Sequence, residues 1–365
     1  MESYRKSFSL MMLILHRRQK REAIDGKLKA NMYLRILVEM VKSGRASRGE
    51  ILIHCEEDDE LSFQGVKIRL ISDFNKAELD PTDVLFIRGD KKVYLPIVRK
   101  SYKKVERLLF YGASGKAIPR HGLRFHGILV DNTSQTPIIH NYYPGVYVGA
   151  FLKTAIPETF FPMPKEKKEF DVCMVGAMRH HRKNLIGMKE AIAALPDVKF
   201  VICGTTDNAK IESLGAGLGQ ITCKGFITQE ELNKVINRSR LAVIPSNESD
   251  ASPRIILEYA AAGIPILANS EMCGADKFVL PEAGRIAHLS EFARIIPEML
   301  ATINTFNAHD AFNEHFSPEK VGEDFAKHIH AIMQMPAKPP SPSLRGRLAR
   351  LTRLRIDEQH MKLKG

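Results

Sequence analysis

The sequence predicts an α/β protein built from two Rossmann-like domains, and three observations support this fold class. Short apolar runs without polar alternation recur along the chain, as expected for strands that helices cover on both faces. In the second half these runs alternate with helical stripes, and several end directly before a glycine. The 365 residues, 44% of them hydrophobic, are enough for two domains with cores of ordinary size.

Residues 1–164 are expected to form the N-terminal, Rossmann-like domain. Its predicted strands cover residues 9–15, 51–55, 67–72, 83–88, 107–111 and 127–131. An apolar helical stripe over residues 27–42 ends before Gly44 and predicts a helix. A proline-rich stretch with Pro157, Pro162 and Pro164, followed by charged residues 165–169, predicts a domain linker.

Residues 165–335 are expected to form the second domain, where the alternation of strand and helix is clearest. Predicted strands cover residues 170–175, 198–203, 221–223, 241–244 and 264–268, and predicted helices cover 184–194, 230–239, 254–262 and 318–333. This order predicts a parallel, doubly wound sheet. Ligands of such sheets bind at the carboxyl ends of the strands.

Residues 336–365 form a basic tail that begins with a proline-rich stretch. The chain has a net charge of +12, and residues 337–365 carry eight basic and two acidic side chains. On a helix, Leu344, Leu348, Leu351 and, less well aligned, Leu354 share one side. Arg347, Arg350 and Arg353 lie mainly around the other, while Arg355 falls near the apolar edge. This pattern predicts an amphipathic helix on an anionic membrane surface. A disordered solubilising tail is the alternative, and the lack of aromatic side chains does not favour nucleic acid.

Composition favours a cytoplasmic location. The five cysteines are scattered and form no C-x-x-C pair, which argues against a disulfide framework or a zinc site. No apolar run approaches the roughly 20 residues of a transmembrane helix. We therefore expect a cytoplasmic protein that the tail holds at the inner face of a membrane.

A basic loop follows the predicted strand 170–175. Gly176 ends the strand, and Arg179, Arg182 and Lys183 precede the predicted helix. Backbone N–H groups at a helix N-terminus and nearby cationic side chains favour a phosphate. The alternative is a solvated basic loop without a ligand.

A second motif comprises Gly225, Phe226 and Ile227. Gly225 would let a ligand approach the backbone, because it has no side chain. Thr228 and Glu231, three residues apart, predict a capping box at the start of the next helix. A well-capped helix without a ligand is the simpler interpretation of this motif.

A third motif runs from Pro245 to Glu258. A polar loop containing Asp250 and Ser252 follows a predicted strand, and a helix then carries Arg254 and Glu258 one turn apart. A carboxylate at position 258 could accept both hydroxyl groups of a ribose. The alternative is a surface ion pair with Arg254, which would contribute little.

Together these motifs resemble glycosyltransferase family 4, the "group 1" retaining transferases with the GT-B fold. That fold has two Rossmann-like domains with a cleft between them. The resemblance covers residues 170–285, and the matching residues are Lys183-Asn184, Gly225-Phe226-Ile227, Glu230-Glu231-Leu232, Pro245-Ser246, Glu258 and Ala261-Ala262-Gly263-Ile264-Pro265.

The resemblance implies roles for the donor-binding residues. Lys183 would neutralise the donor diphosphate, Glu258 would bind the ribose, and amides of residues 252–255, among them Ser252 and Arg254, would hold phosphate or sugar. Phe226 and Ile227 would lie beside the base. The family's arginine falls on Ala177, so Arg179 or Arg182 would replace it.

The resemblance also implies that Asp250 is the catalytic carboxylate facing the transferred sugar. Asp250 stands where the family has Glu, and the nearby Glu248 leaves open which of the two faces the sugar. The family's N-domain histidine has no counterpart in residues 109–115. The N-domain therefore carries little of the resemblance.

The expected function is transfer of a hexose from a nucleotide-sugar to a glycan or glycolipid acceptor, with retention. No metal motif is present in the sequence, and no cofactor is expected beyond the nucleotide-sugar substrate. Two alternatives remain at this point: a non-catalytic protein that binds sugar nucleotides or nucleic acid, and another GT-B enzyme such as a sugar-nucleotide epimerase.

Overall fold

The structure, a computed structural model, describes residues 7–89, 94–112, 124–131, 135–177, 181–204, 221–250, 253–341 and 343, without the side chains of residues 14–17 and 27. The chain divides into two compact units. The first unit comprises residues 1–152 and 321–365, and the second comprises residues 153–320.

The described strands of the first unit form an eight-stranded sheet in the order β3-β4-β2-β1-β5-β6-β7-β8. The strands are β1 (Phe8–Gln19), β2 (Ala46–Cys55), β3 (Asp59–Phe63), β4 (Val66–Ile71), β5 (Thr82–Arg88), β6 (Val105–Gly112), β7 (Gly127–Val130) and β8 (Tyr147–Ala150). Only the β3–β4 pair is antiparallel in this part of the chain. Strands β3 and β8 were not predicted from the sequence.

In the described part of the first unit, the α-helices before β8 are α1 (Ile24–Lys29), α2 (Met32–Lys42), α3 (Leu95–Ser101) and α4 (Thr136–Tyr142). The helix predicted over residues 27–42 is two helices, because Asn31 begins a new one. Its side-chain oxygen accepts hydrogen bonds from the backbone N–H groups of Tyr33 at 3.0 Å and Leu34 at 3.2 Å.

The C-terminal helix, Pro318–Met333, packs its apolar face into the core of the first unit. Val321, Phe325, Ile329 and Ile332 are buried there, as their helical spacing predicts. The ring of Phe325 meets the ring of Phe86 in β5 edge-on, with 5.2 Å between the centroids. The sequence analysis grouped this helix with residues 165–335, whereas its packing assigns the helix from Val321 onward to the first unit.

Arg107 in β6 fixes the end of this helix. Its guanidinium is 9% exposed and donates to the carbonyl oxygens of Ile332 at 2.8 Å, Met333 at 3.0 Å and Met335 at 2.7 Å. The last carbonyls of a helix have no partner inside the helix, so a buried cation is a favourable cap.

Two further contacts hold the strap, which we define as residues 334–341 and 343. The His126 ring accepts from the Leu108 N–H and donates to the Ala337 carbonyl, each at 3.0 Å. Burial lowers the pKa of His126, which favours the neutral ring that can do both. Ser343 donates to the carbonyls of Asn141 and Tyr142, each at 2.8 Å.

The described strands of the second unit form a six-stranded parallel sheet in the order β11-β10-β9-β12-β13-β14. The strands are β9 (Phe170–Val175), β10 (Phe200–Cys203), β11 (Ile221–Cys223), β12 (Ser239–Ile244), β13 (Ile266–Asn269) and β14 (Gly284–Ala287). The α-helices among the described residues of this unit are α5 (Lys189–Ala193), α6 (Gln229–Asn237), α7 (Ile255–Ala261), α8 (Ala275–Phe278), α9 (Phe292–Ala301) and α10 (Ala308–His315).

The predicted parallel, doubly wound sheet is therefore confirmed for the second unit. Strands predicted at residues 170–175 and 221–223 have these bounds in the structure. Across the described ranges, none of the helices is both long and apolar enough to cross a membrane.

We predict that Arg107→Ala destabilises the first unit. The change leaves two carbonyl oxygens at the end of the C-terminal helix and one in the strap without their charged donor. The expected loss in the free energy of unfolding is at least about 1.5–3 kcal/mol, the net contribution of one hydrogen bond to a charged group. Urea unfolding followed by circular dichroism measures it.

Arg99→Ala is the matched control, because Arg99 is an exposed arginine of α3 in the same unit. It should change the unfolding midpoint little. An Arg107→Ala protein as stable as the Arg99→Ala protein would contradict the capping role.

Candidate donor-binding site

The carboxyl ends of the parallel strands in the second unit bring the predicted motifs to one edge of the sheet. From β9 the chain proceeds outward to β10 and β11, and it then returns to place β12 on the other side of β9. The order of strands thus reverses between β9 and β12. Ligands of doubly wound sheets bind at such a switch point.

Glycines keep the strand ends next to this point free of side chains. Gly204, after β10, has a φ of +91°, and a Cβ there would lie 2.2 Å from the carbonyl oxygen of Gly176. Its N–H donates to the Gly225 carbonyl at 2.5 Å. Only glycine allows three strand ends to approach this closely.

The basic segment after β9 differs from its prediction. Residues His181–Lys183 and Leu185–Met188 form 3-10 helices, and the α-helix begins only at Lys189. Asn184 between them is left-handed, with a φ of 48°, which interrupts a regular helix. The predicted helix N-terminus at residue 184 is therefore wrong, and the cationic side chains rather than a helix end characterise this segment.

Lys183 and Asp250 contact each other across the switch point. The Lys183 Nζ lies 2.7 Å from Asp250 Oδ2, and the two side chains are only 12% and 8% exposed. Ser246 Oγ donates to the same carboxylate oxygen at 2.9 Å. Arg182 Nε lies 3.9 Å from Oδ1. One carboxylate thus joins the loops that follow β9 and β12.

Backbone bonds hold the two loops in register. The Asn247 N–H donates to the Arg182 carbonyl at 3.0 Å, and the Asp250 N–H donates to the Asn247 carbonyl at 3.0 Å. Of the two carboxylates that the sequence left open, Asp250 lies among the cations. Glu248 is exposed to solvent.

Glu258 and Arg254 form an ion pair at the start of α7. Arg254 Nε lies 2.7 Å from Glu258 Oε1, and the Glu258 side chain is 9% exposed while that of Arg254 is 38% exposed. The pair is therefore not a solvated surface pair, because its carboxylate is buried. Next to it, burial raises the pKa of Tyr259 well above its usual value.

Phe226 is 65% exposed, which is unusual for a phenylalanine. It directly follows Gly225, whose φ is 54°. Ile227 beside it is half-buried. The predicted capping box is confirmed, since Thr228 Oγ1 accepts from the Glu231 N–H at 3.2 Å and the Glu231 carboxylate accepts from the Thr228 N–H at 3.4 Å. The motif thus caps a helix and also presents an aromatic ring to solvent.

Not every predicted site residue is among the described residues. Arg179 and Ser252 lie outside them, as does the tail from residue 344.

In the first unit, the Tyr111 hydroxyl at the end of β6 donates to Asp131 at 2.5 Å, and both residues are buried. Tyr111 lies within residues 109–115, where the sequence has no counterpart of the family's histidine.

Two residues of the site were missed by the sequence analysis. Ser246 was noted only as part of a motif, and its hydroxyl bonds Asp250. Asn269, at the end of β13, is fully buried and donates to the Ser246 carbonyl at 3.2 Å. A polar residue at the end of an apolar strand was the available signal for Asn269.

Comparison with known proteins identifies a family that includes this part of the chain among its matches. Residues 155–290 match the family "Glycosyl transferases group 1". No curated protein matches the chain significantly. The family match confirms group 1, while family 4 within it stays a prediction.

Solved structures share the fold at low sequence identity. A glycosyltransferase from Rickettsia africae is 10% identical with a TM-score of 0.63, and the alignment covers 90% of this chain and 100% of that one. HepE from Anabaena, solved with UDP-glucose, is 13% identical with a TM-score of 0.59, covering 89% and 100%.

Sucrose-phosphate synthase from Thermosynechococcus elongatus is 11% identical with a TM-score of 0.56, and the alignment covers 90% of this chain and 95% of that one. Identities this low show a shared fold, and the family match adds the class of activity. The protein is a glycosyltransferase with the GT-B fold, and its residues 155–290 match the group 1 glycosyl transferases.

Proposed function

We propose that the protein transfers a hexose from a nucleoside-diphosphate sugar to a glycan or glycolipid acceptor, with retention of the anomeric configuration. The observation that carries the proposal is the cluster of Lys183, Arg182 and Asp250 at the switch point of the second unit. It combines cations for a diphosphate with a carboxylate for a sugar hydroxyl.

In the proposed donor complex, the diphosphate takes the place of Asp250 as the partner of Lys183. The flexible lysine chain lies against Gly176, where a Cβ would be 3.0 Å from Lys183 Cε, so the glycine leaves room for it. A doubly charged diphosphate attracts the ammonium more strongly than one carboxylate does. Asp250 then becomes available to the hydroxyls of the sugar.

The remaining donor contacts follow from the other motifs. Glu258 would accept hydrogen bonds from the ribose hydroxyls while it also contacts Arg254. Backbone amides near Ser252 would hold the phosphate or the sugar. Phe226 presents an exposed ring, and Ile227 an apolar neighbour, for contact with the base. HepE from Anabaena was solved with UDP-glucose, which makes UDP-sugars the first donors to examine.

Catalysis would rest on charge that develops as the sugar leaves. The departing diphosphate gains negative charge, and fixed cations stabilise that charge in the transition state more than in the ground state. Lys183 supplies one cation, and Arg182 or Arg179 supplies another. We propose that this needs no metal ion, and that retention follows from the resemblance to retaining transferases.

Nucleotide release from a panel of UDP-, GDP- and ADP-sugars tests the function with the full-length protein. We expect turnover with at least one donor. Without an acceptor the hexose is transferred to water, and proton NMR of the released hexose, recorded before mutarotation, should show the anomeric configuration of that donor. Binding without nucleotide release from any donor would identify a non-catalytic binder. An inverted product would overturn retention.

We predict that Lys183→Ala weakens binding of the donor and of UDP. Loss of one charge-assisted hydrogen bond to the diphosphate should reduce the affinity about tenfold or more. The fold should persist, because Asp250 retains its bond from Ser246 and the nearby Arg182. Isothermal titration calorimetry measures the affinity.

Lys189→Ala is the matched control, since Lys189 is an exposed lysine six residues further along the chain. It removes the same charge and should leave the affinity unchanged. Equal affinities of the Lys183→Ala and wild-type proteins would remove Lys183 from the donor site.

We further propose that the basic tail holds the enzyme at the inner face of a membrane, beside a membrane-bound acceptor. The strap ends at Ser343, which is bonded to α4. The proline-rich stretch is thus attached to the first unit as far as Ser343, rather than acting as a free spacer. The segment proposed to contact lipid begins after it.

Deleting residues 344–365 should abolish sedimentation with anionic liposomes while nucleotide release from a soluble donor continues. Each basic side chain near such a surface contributes on the order of 1 kcal/mol. The triple change of Arg347, Arg350 and Arg353 to Gln should therefore weaken sedimentation strongly. A wild-type protein that does not sediment with anionic liposomes at low salt would contradict the proposal.

The control for total charge changes Arg99, Lys103 and Lys165 to Gln. These side chains are exposed and lie outside the tail. The control lowers the net charge equally, so sedimentation should persist if the tail is the membrane-binding segment.

A further inference from the structure

Ser246 forms hydrogen bonds in the proposed donor site through both its side chain and its backbone carbonyl. It follows β12 after Pro245 and is 1% exposed. Its hydroxyl donates to Asp250 Oδ2 at 2.9 Å, and its carbonyl accepts from the buried Asn269 side chain at 3.2 Å. Asn269 in β13 therefore fixes the backbone of Ser246, while the Ser246 hydroxyl donates to the Asp250 carboxylate.

The same carboxylate oxygen has two donors. Lys183 Nζ lies 2.7 Å from Asp250 Oδ2, while Arg182 Nε is 3.9 Å from the other oxygen, beyond hydrogen-bonding distance. When a diphosphate recruits Lys183, the ammonium leaves Oδ2. The Ser246 hydroxyl then remains as a short, fixed bond to that oxygen.

We propose that Ser246 is a positioning residue that keeps the Asp250 carboxylate directed at the sugar after Lys183 has turned to the donor diphosphate. This inference rests on the proposed function, and it assigns Ser246 no contact with the substrate. Holding Oδ2 leaves Oδ1 to accept from a sugar hydroxyl. The aspartate side chain is one methylene shorter than that of glutamate. A fixed orientation of its carboxylate therefore matters for contact with the sugar hydroxyl.

A positioning role predicts a particular kinetic pattern. Ser246→Ala should lower kcat for nucleotide release from the donor about tenfold, the factor that corresponds to a hydrogen bond with a charged group. The KM for the donor and the affinity for UDP should stay within about twofold, because the diphosphate and ribose contacts remain. A uniform loss of donor binding would contradict the role.

Ser239→Ala is the matched control, because Ser239 begins β12, the strand that Ser246 follows. Ser239 is also fully buried, and its hydroxyl donates to the Val235 carbonyl at 2.9 Å, away from Asp250. Removing it tests what a missing buried hydroxyl of β12 does by itself. Its kcat should equal that of the wild-type protein.

A double-mutant cycle with Asp250→Asn separates positioning from general damage. If Ser246 acts through the Asp250 carboxylate, Ser246→Ala should lower kcat about tenfold in the wild type and little in the Asp250→Asn background. Equal effects in both backgrounds would overturn the proposal. Ser246→Cys, which keeps the shape and a weak donor, should be intermediate and serves if the alanine variant does not fold.

The outcomes for the two single variants distinguish this proposal from the proposed function. An Asp250→Asn protein with wild-type turnover would remove Asp250 from catalysis, and the proposed function of this site would fail. A crippled Asp250→Asn protein together with an unimpaired Ser246→Ala protein would overturn the role of Ser246 alone.

Discussion

The contact between Lys183 and Asp250 is the interaction on which the donor site depends. It connects the loops after β9 and β12, the two strands between which the order of the sheet reverses. Both charges are largely removed from water, so in the absence of a ligand each stabilises the other. In the proposed donor complex a diphosphate replaces the carboxylate at Lys183, which an uncharged ligand could not do. The proposed site would thereby select an anion before it recognises a base or a sugar.

Glycine placement and loop bonding make this contact possible. Gly204 and Gly176 bring β9 and β10 together without side chains, and the Asn247 N–H ties the β12 loop to the Arg182 carbonyl. The hydroxyl of Ser246 and the ammonium of Lys183 share one oxygen of Asp250. Under the proposed function the hydroxyl stays and the ammonium leaves, which would link donor binding to the position of the carboxylate.

The features of this structure that depend on residues close together in the chain could be predicted from the sequence. The Thr228–Glu231 capping box, the strand 170–175 and the buried face of the C-terminal helix each depend on neighbours within one element. The resemblance in residues 170–285 supplied the fold and the candidate residues together. The resemblance assigned Lys183 to the phosphate and Asp250 to the sugar as separate roles, whereas the structure shows the two side chains in contact.

The features that escaped prediction are those set by tertiary contacts. Asn184 adopts a left-handed conformation that periodicity does not reveal, so the expected helix starts five residues late. The C-terminal helix has a buried face that could pack on either unit, and Arg107, more than 200 residues earlier in the chain, caps it in the first. Asn269 bonds Ser246 across the β12–β13 pair, which only the sheet order brings together.

A crystal structure of the full-length protein with UDP bound would test the central claim most directly. The account predicts that the diphosphate lies against Lys183, that the Lys183–Asp250 contact is broken, and that the Ser246–Asp250 hydrogen bond is kept. A structure in which UDP lies elsewhere while Lys183 Nζ remains beside Asp250 Oδ2 would contradict it.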